Sequence, residues 1–266
     1  MVYRQNPIIL NAFEKQRDYY DKKAEGLPIY TLPDGIDIGA ANNWIKGNTG
    51  VQGEETLELL RHFGIAVAES AVAKNDKEAI PMAERIGYPA VMKIVSPDAI
   101  HKSDAGVVIT GIQNAEDVRS TFERIRENLY RYNKDADFQG VRIMKQASEG
   151  YDMFIGGQFD TSFGPIVSFG YSGIYIEVFQ DIANILCPAN MQEIDDKVRK
   201  LKSCKILQGA RGKGAGDIAG YVAMIERVTN LLHQFPSIRE LDINPVRVLA
   251  DGSIVVALDA RIRIEA

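Results

Sequence analysis

Lys93 sits inside an apolar run, Ala90-Val91-Met92-Lys93-Ile94, which opens into a polar stretch, Val95-Ser96-Pro97-Asp98-Ala99-Ile100-His101-Lys102-Ser103-Asp104-Ala105-Gly106, before a second apolar run begins at Val107. An ammonium in such a strand is costly unless an anion meets it. The stretch that follows offers backbone N–H groups, small residues and a histidine, which are the materials that wrap phosphate. The chemistry implied is nucleotide phosphate binding, with His101 able as a neutral imidazole to act as a nucleophile. Taken alone, Lys93 also reads as a lysine snorkelling from an edge strand, and His101 as an ordinary loop histidine. His62 and His233 fall at the ends of helical segments, where a dipole or solvent role suffices.

A second cluster comes from a hairpin. Arg239–Leu249 and Ser253–Ile264 flank Asp251-Gly252, a strong two-residue turn signal. With Ala250 facing Ser253, the register sets Asn244 across from Asp259, Asp242 across from Arg261 and Glu240 across from Arg263. Directly opposed residues have Cβ atoms about 5 Å apart, so Asn244 and Asp259 could together offer oxygens to one hard cation such as Mg²⁺, which takes few protein ligands and keeps phosphates and waters. The alternative is a plain polar cross-strand pair.

The elements that must position these residues follow from periodicity. Residues 1–50 hold a helical candidate, Leu10–Lys23, and then Pro28, Pro33, Gly35, Gly39, Gly47 and Gly50, which break regular structure; they read as an extension or linker. Leu57, Leu60 and Phe63 make a helical stripe ending at Gly64. Ile65–Val72 reads as a strand, Asp76–Ile86 as a helix, and Tyr88-Pro89 launches the Lys93 strand. Asn114 is an N-cap for a helix carrying Val118, Phe122, Ile125 and Leu129. Strands follow at Val141–Lys145, Asp152–Phe159, Ile166–Phe169 and Tyr175–Phe179, with a helix near Glu193–Lys202. After the glycine loop Gly209–Gly214, Asp217 caps a helix through Ile218, Tyr221, Ile225, Val228 and Leu232.

The 266 residues, 45% hydrophobic and 25% charged, can bury one large core or two smaller ones. Lys+Arg 31 against Asp+Glu 36 gives a net charge of −5, so nucleic acid and anionic membranes have no electrostatic support as partners. Two cysteines, Cys187 and Cys204, make neither a disulfide framework nor a metal cluster by themselves and suit a reducing compartment. No apolar run approaches a membrane span of ~18 residues, and the start of the chain lacks a signal-peptide layout. The expected location is the cytoplasm.

Lys93 with its loop, Gly164-Pro165, Arg211-Gly212, Glu240-Leu241-Asp242-Ile243-Asn244-Pro245 and Leu258-Asp259-Ala260-Arg261 together resemble the ATP-grasp domain of NDP-forming acyl-CoA synthetases, over residues 51–266. That family includes ADP-forming acetyl-CoA synthetase and is related to succinyl-CoA synthetase. The resemblance implies an α+β (α/β) ATP-grasp fold of two lobes, 51–145 and 146–266, with ATP between them and residues 1–50 as an N-terminal extension. It implies reversible conversion of acyl-CoA, ADP and phosphate into acid, CoA and ATP, in a hetro-oligomer with a CoA-binding and CoA-ligase α subunit or domain. That partner would bind CoA and the acyl substrate and carry a phosphohistidine.

Carried over by position, Lys93, Lys102, Ser103, Gly106 and Asp152 would bind the nucleotide, with Lys145, Gln146 and Ala147 in the segment that receives adenine. His101 would relay the phosphoryl group with Arg211 as a second catalytic residue, and Asn244 and Asp259 would hold Mg²⁺. The chain departs from the family pattern at Ala105-Gly106-Val107, where Gly-Gly-Val is usual, at Gly170-Tyr171-Ser172-Gly173 for Gly-x-Gly-Gly, and at Asp152 for Glu. Two other readings use the same lysine and metal pair: a module that senses ATP or ADP without catalysis, and another ATP-grasp carboxylate–amine ligase. Neither needs a nucleophile at His101.

Overall fold

A computed structural model of the chain describes residues 30–53, 55–99, 106–173, 181–209, 214–252 and 254–265. In order, these form helix α1 (Ile38–Gly47), strand β1 (Gly50–Gln52), α2 (Thr56–His62), β2 (Ser70–Ala73), α3 (Asp76–Ile86), β3 (Ala90–Val95), β4 (Val108–Ile112), α4 (Ala115–Tyr132), β5 (Gly140–Lys145), β6 (Gly150–Asp160) and β7 (Gly164–Tyr171). Then come β8 (Ile182–Leu186), α5 (Met191–Val198), α6 (Cys204–Leu207), α7 (Ile218–Gln234), β9 (Ile238–Leu249), β10 (Val255–Ala257) and β11 (Ala260–Ile264).

The strands make two sheets. The larger runs β1-β11-β9-β6-β7-β8, with β10 also on β9; the smaller runs β2-β5-β3-β4. Each ladder is antiparallel, so each sheet has the alternation that sends one set of side chains inward and the other outward. Two hydrophobic cores result. One, built on the larger sheet, takes in Trp44, Leu60, Phe63, Tyr221, Ile225 and Leu241; the other, under the smaller sheet, takes in Met92, Phe122, Ile125, Leu129 and Ile143.

Local chemistry sets the helices that cover these cores. The Asn114 side chain accepts from the N–H groups of Glu116 and Asp117 at 3.0 Å, and α4 buries Val118, Phe122, Ile125 and Leu129 on one stripe. Asp217 accepts from Gly220 N at 2.8 Å to start α7, which buries Tyr221, Ile225, Val228 and Leu232. Gly64 stands just past α2 at φ 65°, a conformation that closes a helix and favours glycine.

Several expectations shift. The run 65–72 is not one strand: Ala257 N donates to Ala66 O at 2.9 Å and Ala68 N to Ala257 O at 2.9 Å, on the larger sheet, while Ser70–Ala73 joins the smaller. The apolar run is divided because it is where the chain crosses between sheets. Residues 38–47, expected within a linker, form α1 despite two glycines, because Asp37 accepts from Ala40 N at 2.9 Å and Ala41, Trp44 and Ile45 are buried. With β1 paired to β11, residues from 51 to the crossing pack with the larger sheet rather than with the lobe expected to begin there.

The helix expected near 193–202 begins at Met191 and ends at Val198, its start fixed by a reciprocal bond between Asn190 and Glu193. Strand β8 was not expected, and the closing hairpin splits into β10 and β11 around Leu258-Asp259. The helix expected at 10–23 and the strand at 175–179 lie outside the described residues. Among the described residues, no helix is long and apolar enough to cross a membrane.

Phe122 is fully buried and meets Phe138 edge-on with ring centroids 6.0 Å apart, whereas the single tryptophan, Trp44, belongs to the other core. Phe122→Ala is expected to destabilise the smaller core by about 3–5 kcal/mol. In a denaturant titration, part of the far-ultraviolet circular dichroism should then be lost before Trp44 emission shifts. Coincident loss of both signals would mean that the two cores unfold as one unit.

Candidate functional site

The alternation of β3 sends Ala90, Met92 and Ile94 into the smaller core and leaves Val91, Lys93 and Val95 on the opposite face. On β5, Arg142 stands directly opposite Lys93, and Val141 and Ile143 take the core side. This second face of the smaller sheet fronts a cleft of about 640 Å³ whose far wall comes from β9 and the β10–β11 junction. The register of β9 against β10 and β11 is the one expected: Val255 pairs with Val248, Ala260 with Ile243, Arg261 with Asp242 and Arg263 with Glu240. Between the two ladders, Asn244 N donates to Asp259 O at 3.2 Å, which sets these two residues side by side.

Asp259 is the meeting point of the walls. Lys93 Nζ donates to Asp259 Oδ2. Arg142 Nη1 reaches Asp259 Oδ1 at 3.3 Å and Arg142 Nη2 donates to Leu258 O at 3.0 Å, while Ala260 N lies 3.2 Å from the same Oδ1. The Arg142 side chain is fully buried; those of Lys93 and Asp259 are about a third exposed, at 31% and 32%. Asn244 Oδ1 accepts from the Ser172 hydroxyl at 2.6 Å.

Three more expected residues line the cleft. Lys145 Nζ donates to Tyr88 O at 2.6 Å. Gln146 is tied on both sides, its N–H to Pro89 O at 3.0 Å and its Oε1 to Gly111 N at 2.8 Å, so that the segment running on to Ala147 is fixed against the edge of the smaller sheet. Gly106 precedes the cleft-lining Val107; it has φ 64°, and its carbonyl accepts from the Asn128 side chain at 2.8 Å. Asp152 stands behind the cleft wall, in a two-point pair with Arg247 at 2.6 and 3.3 Å, and Arg247 also donates to Ser148 O at 2.9 Å. His101, Lys102, Ser103 and Arg211 lie outside the described residues.

The structure therefore gathers Lys93, Lys145, Gln146, Ala147, Asn244 and Asp259 on one cleft, and adds three arginines, Arg142, Arg247 and Arg261, of which the sequence pattern singles out only Arg261, as the cross-strand partner of Asp242. Arg142 carried the same signal as Lys93, a cation within an apolar run, Gly140-Val141-Arg142-Ile143-Met144. A larger concavity of about 1010 Å³ lies on the outward face of the larger sheet and shares Asp242 and Arg261 with the cleft. The chemistry-bearing residues do not gather there. Burial pushes the Cys187 thiol up to about 12 and the Cys204 thiol above its ordinary value, so neither supplies a thiolate at neutral pH.

The donors that the hairpin brings together, the Asp259 carboxylate and the Asn244 amide oxygen, are all hard oxygen. That set fits Mg²⁺, which prefers oxygen and draws its remaining ligands from water and phosphate. Asp259 Oδ2 is held by the ammonium of Lys93, which is partly exposed to the cleft.

A family model for the ATP-grasp domain matches residues 44–264. The chain is 41% identical over 207 residues to the beta subunit of an acetate–CoA ligase (ADP-forming) I from Pyrococcus furiosus, a match that spans 78% of this chain and 88% of that subunit. It is also 41% identical over 209 residues to a 4-hydroxybutyrate–CoA ligase (ADP-forming) from Nitrosopumilus maritimus, covering 79% of this chain and only 30% of that protein. A solved structure of the dinucleotide-forming acetyl-coenzyme A synthetase 1 of Ca. Korarchaeum cryptofilum, with coenzyme A and Mg-AMPPCP and its phosphohistidine segment pointing towards the nucleotide binding site, superposes with a TM-score of 0.70 at 29% identity, over 83% of this chain and 95% of that one. This chain belongs to the ATP-grasp family, in the group that contains the beta subunits of ADP-forming acetate–CoA ligases.

Proposed function

We propose that the chain is the nucleotide half of an ADP-forming acyl-CoA synthetase, moving a phosphoryl group between ATP or ADP and a phosphohistidine on a CoA-ligase partner. The net reaction is acyl-CoA + ADP + phosphate ⇌ acid + CoA + ATP. The observation that carries this reading is the meeting of Lys93 with Asp259, beside Asn244, across a cleft between the two sheets. A cation for phosphate and a pair of oxygens for metal stand within one contact of each other.

In this reading, Lys93 leaves Asp259 and binds the nucleotide phosphates through a charge-assisted contact. The Lys145–Ala147 segment receives the adenine, and Asp259 and Asn244 hold Mg²⁺. The metal, when bound, offsets phosphate charge. A neutral His101 nitrogen attacks the γ-phosphorus of ATP, the bond to the ADP oxygen breaks, and ADP leaves with the electron pair; the group then passes to the partner's imidazole. Lys102, Ser103 and the N–H of Gly106 would steady the transferred group, and Arg211 would balance its charge. Asp152, paired with Arg247, steadies the wall behind the nucleotide. The reading puts the chain in the cytoplasm within a hetero-oligomer, with CoA and the acyl substrate bound by the partner. The Korarchaeum enzyme's phosphohistidine segment, turned towards its nucleotide site, supports this division of labour.

Calorimetry of ADP binding tests the site. Lys93→Ala is expected to weaken binding with or without Mg²⁺. Asp259→Ala is expected to weaken it only with Mg²⁺; without metal it should match or exceed the wild type, because Lys93 no longer has a carboxylate competing for it. Equal affinities in all three proteins would sink the reading.

The relay is tested with ATP labelled at the γ-phosphate and the partner added. His101→Asn should bind ATP nearly as the wild type does and transfer almost no label, a loss confined to kcat. Transfer at the wild-type rate would remove His101 from the mechanism. Acyl-CoA formation is expected only with the partner present, and robust synthesis by the purified chain alone would contradict the proposed division.

A further inference from the structure

Lys93 and Arg142 face each other on neighbouring antiparallel strands, an arrangement that is unfavourable for like charges unless an anion joins them. Asp259, arriving from the other sheet, joins them, and it does so unequally. Lys93 offers one ammonium on a flexible stem, is partly exposed to the cleft and can follow an incoming phosphate. Arg142 is fully buried and makes a two-point contact, one nitrogen to Asp259 Oδ1 and another to Leu258 O. Withdrawing that guanidinium would give up two hydrogen bonds made out of reach of water, a larger cost than letting the partly exposed Lys93 go.

The contact also spans the two sheets. Arg142 is on β5 of the smaller sheet, and Leu258-Asp259 joins β10 to β11 of the larger. The guanidinium therefore fixes both the direction of the Asp259 carboxylate and its distance from Lys93.

We propose that Arg142 is a positioning residue: it holds Asp259 Oδ1 and the Leu258 carbonyl in place while Lys93 exchanges Asp259 for nucleotide phosphate, which leaves Oδ2 open to the divalent cation. This rests on the nucleotide reading of the cleft. Arg142 touches neither nucleotide nor metal in this arrangement, so its effect is specific to the metal-dependent part of binding.

The test is calorimetric titration of the full chain with ADP, metal-free and over a range of Mg²⁺ concentrations, for wild type, Arg142→Met and Arg142→Lys, with thermal melts to show that each variant is folded. Arg142→Met is expected to raise the Mg²⁺ concentration for half-maximal enhancement of ADP binding by about tenfold or more, the usual scale for a residue that orients a metal ligand, and to change metal-free affinity by less than about twofold. Arg142→Lys keeps the charge but loses the fork, and should recover part of the loss. If Arg142→Met does not fold, Arg142→Lys decides alone, again by a raised Mg²⁺ requirement. A folded variant with the wild-type Mg²⁺ requirement, or with equal losses in the presence and absence of metal, overturns the inference and leaves the functional reading standing. A wild-type chain that binds no ADP overturns that reading, and this inference with it.

Discussion

Asp259 receives a cation from each of two neighbouring strands of the opposite sheet, Lys93 on one carboxylate oxygen and Arg142 on the other. The remaining features of the cleft fall into place around that shared anion. Two positive charges side by side on one sheet share it, and the loop between β10 and β11 is anchored through it. Where side chains are partly buried, such a contact is worth more than its surface counterpart, because water competes less for each partner. The two sides differ in exposure, since Lys93 reaches solvent and Arg142 does not.

Its geometry comes from strand register. Antiparallel pairing of β9 with β10 and β11 around the Asp251-Gly252 turn, with Gly252 at φ 70°, brings Asn244 alongside Asp259. A one-residue slip would send every side chain of that wall to the wrong face. The buried residues on each side of the break in alternation at Asn244-Pro245, Leu241 and Ile243 before it and Val246 and Val248 after it, hold the register because each must stay in the core.

What could be read from the sequence was what depends on near neighbours. The hairpin register, the caps at Asn114 and Asp217, the helix at 76–86 and the strand that carries Lys93 each follow from patterns within a few turns of chain. What could not be read depends on partners far away. The crossing at 65–69 looks like continuous strand because an apolar run does not say which of two sheets it serves. Helix α1 was hidden by glycines whose effect Asp37 and the buried Trp44 outweigh. The Lys93–Asp259 contact joins residues 166 positions apart, and neither sheet alone predicts it. Arg142 shows the same limit: its apolar surroundings were visible, but its role appears only once β5 lies beside β3.

The smaller core is drawn from one unbroken length of chain, roughly from Ala71 to Ile143, and its entry and exit, Ser70 and Met144, face each other on paired strands. The larger core instead needs β1 beside β11, with Gly50 opposite Ile264. On the ribosome, the smaller core has all its strands once β5 has emerged, whereas β1 must wait as an unpaired edge until β11 has been made. Early residues of the larger body thus remain exposed longest, and a strand edge left open during synthesis is where chaperones or misplaced pairing partners first find a growing chain.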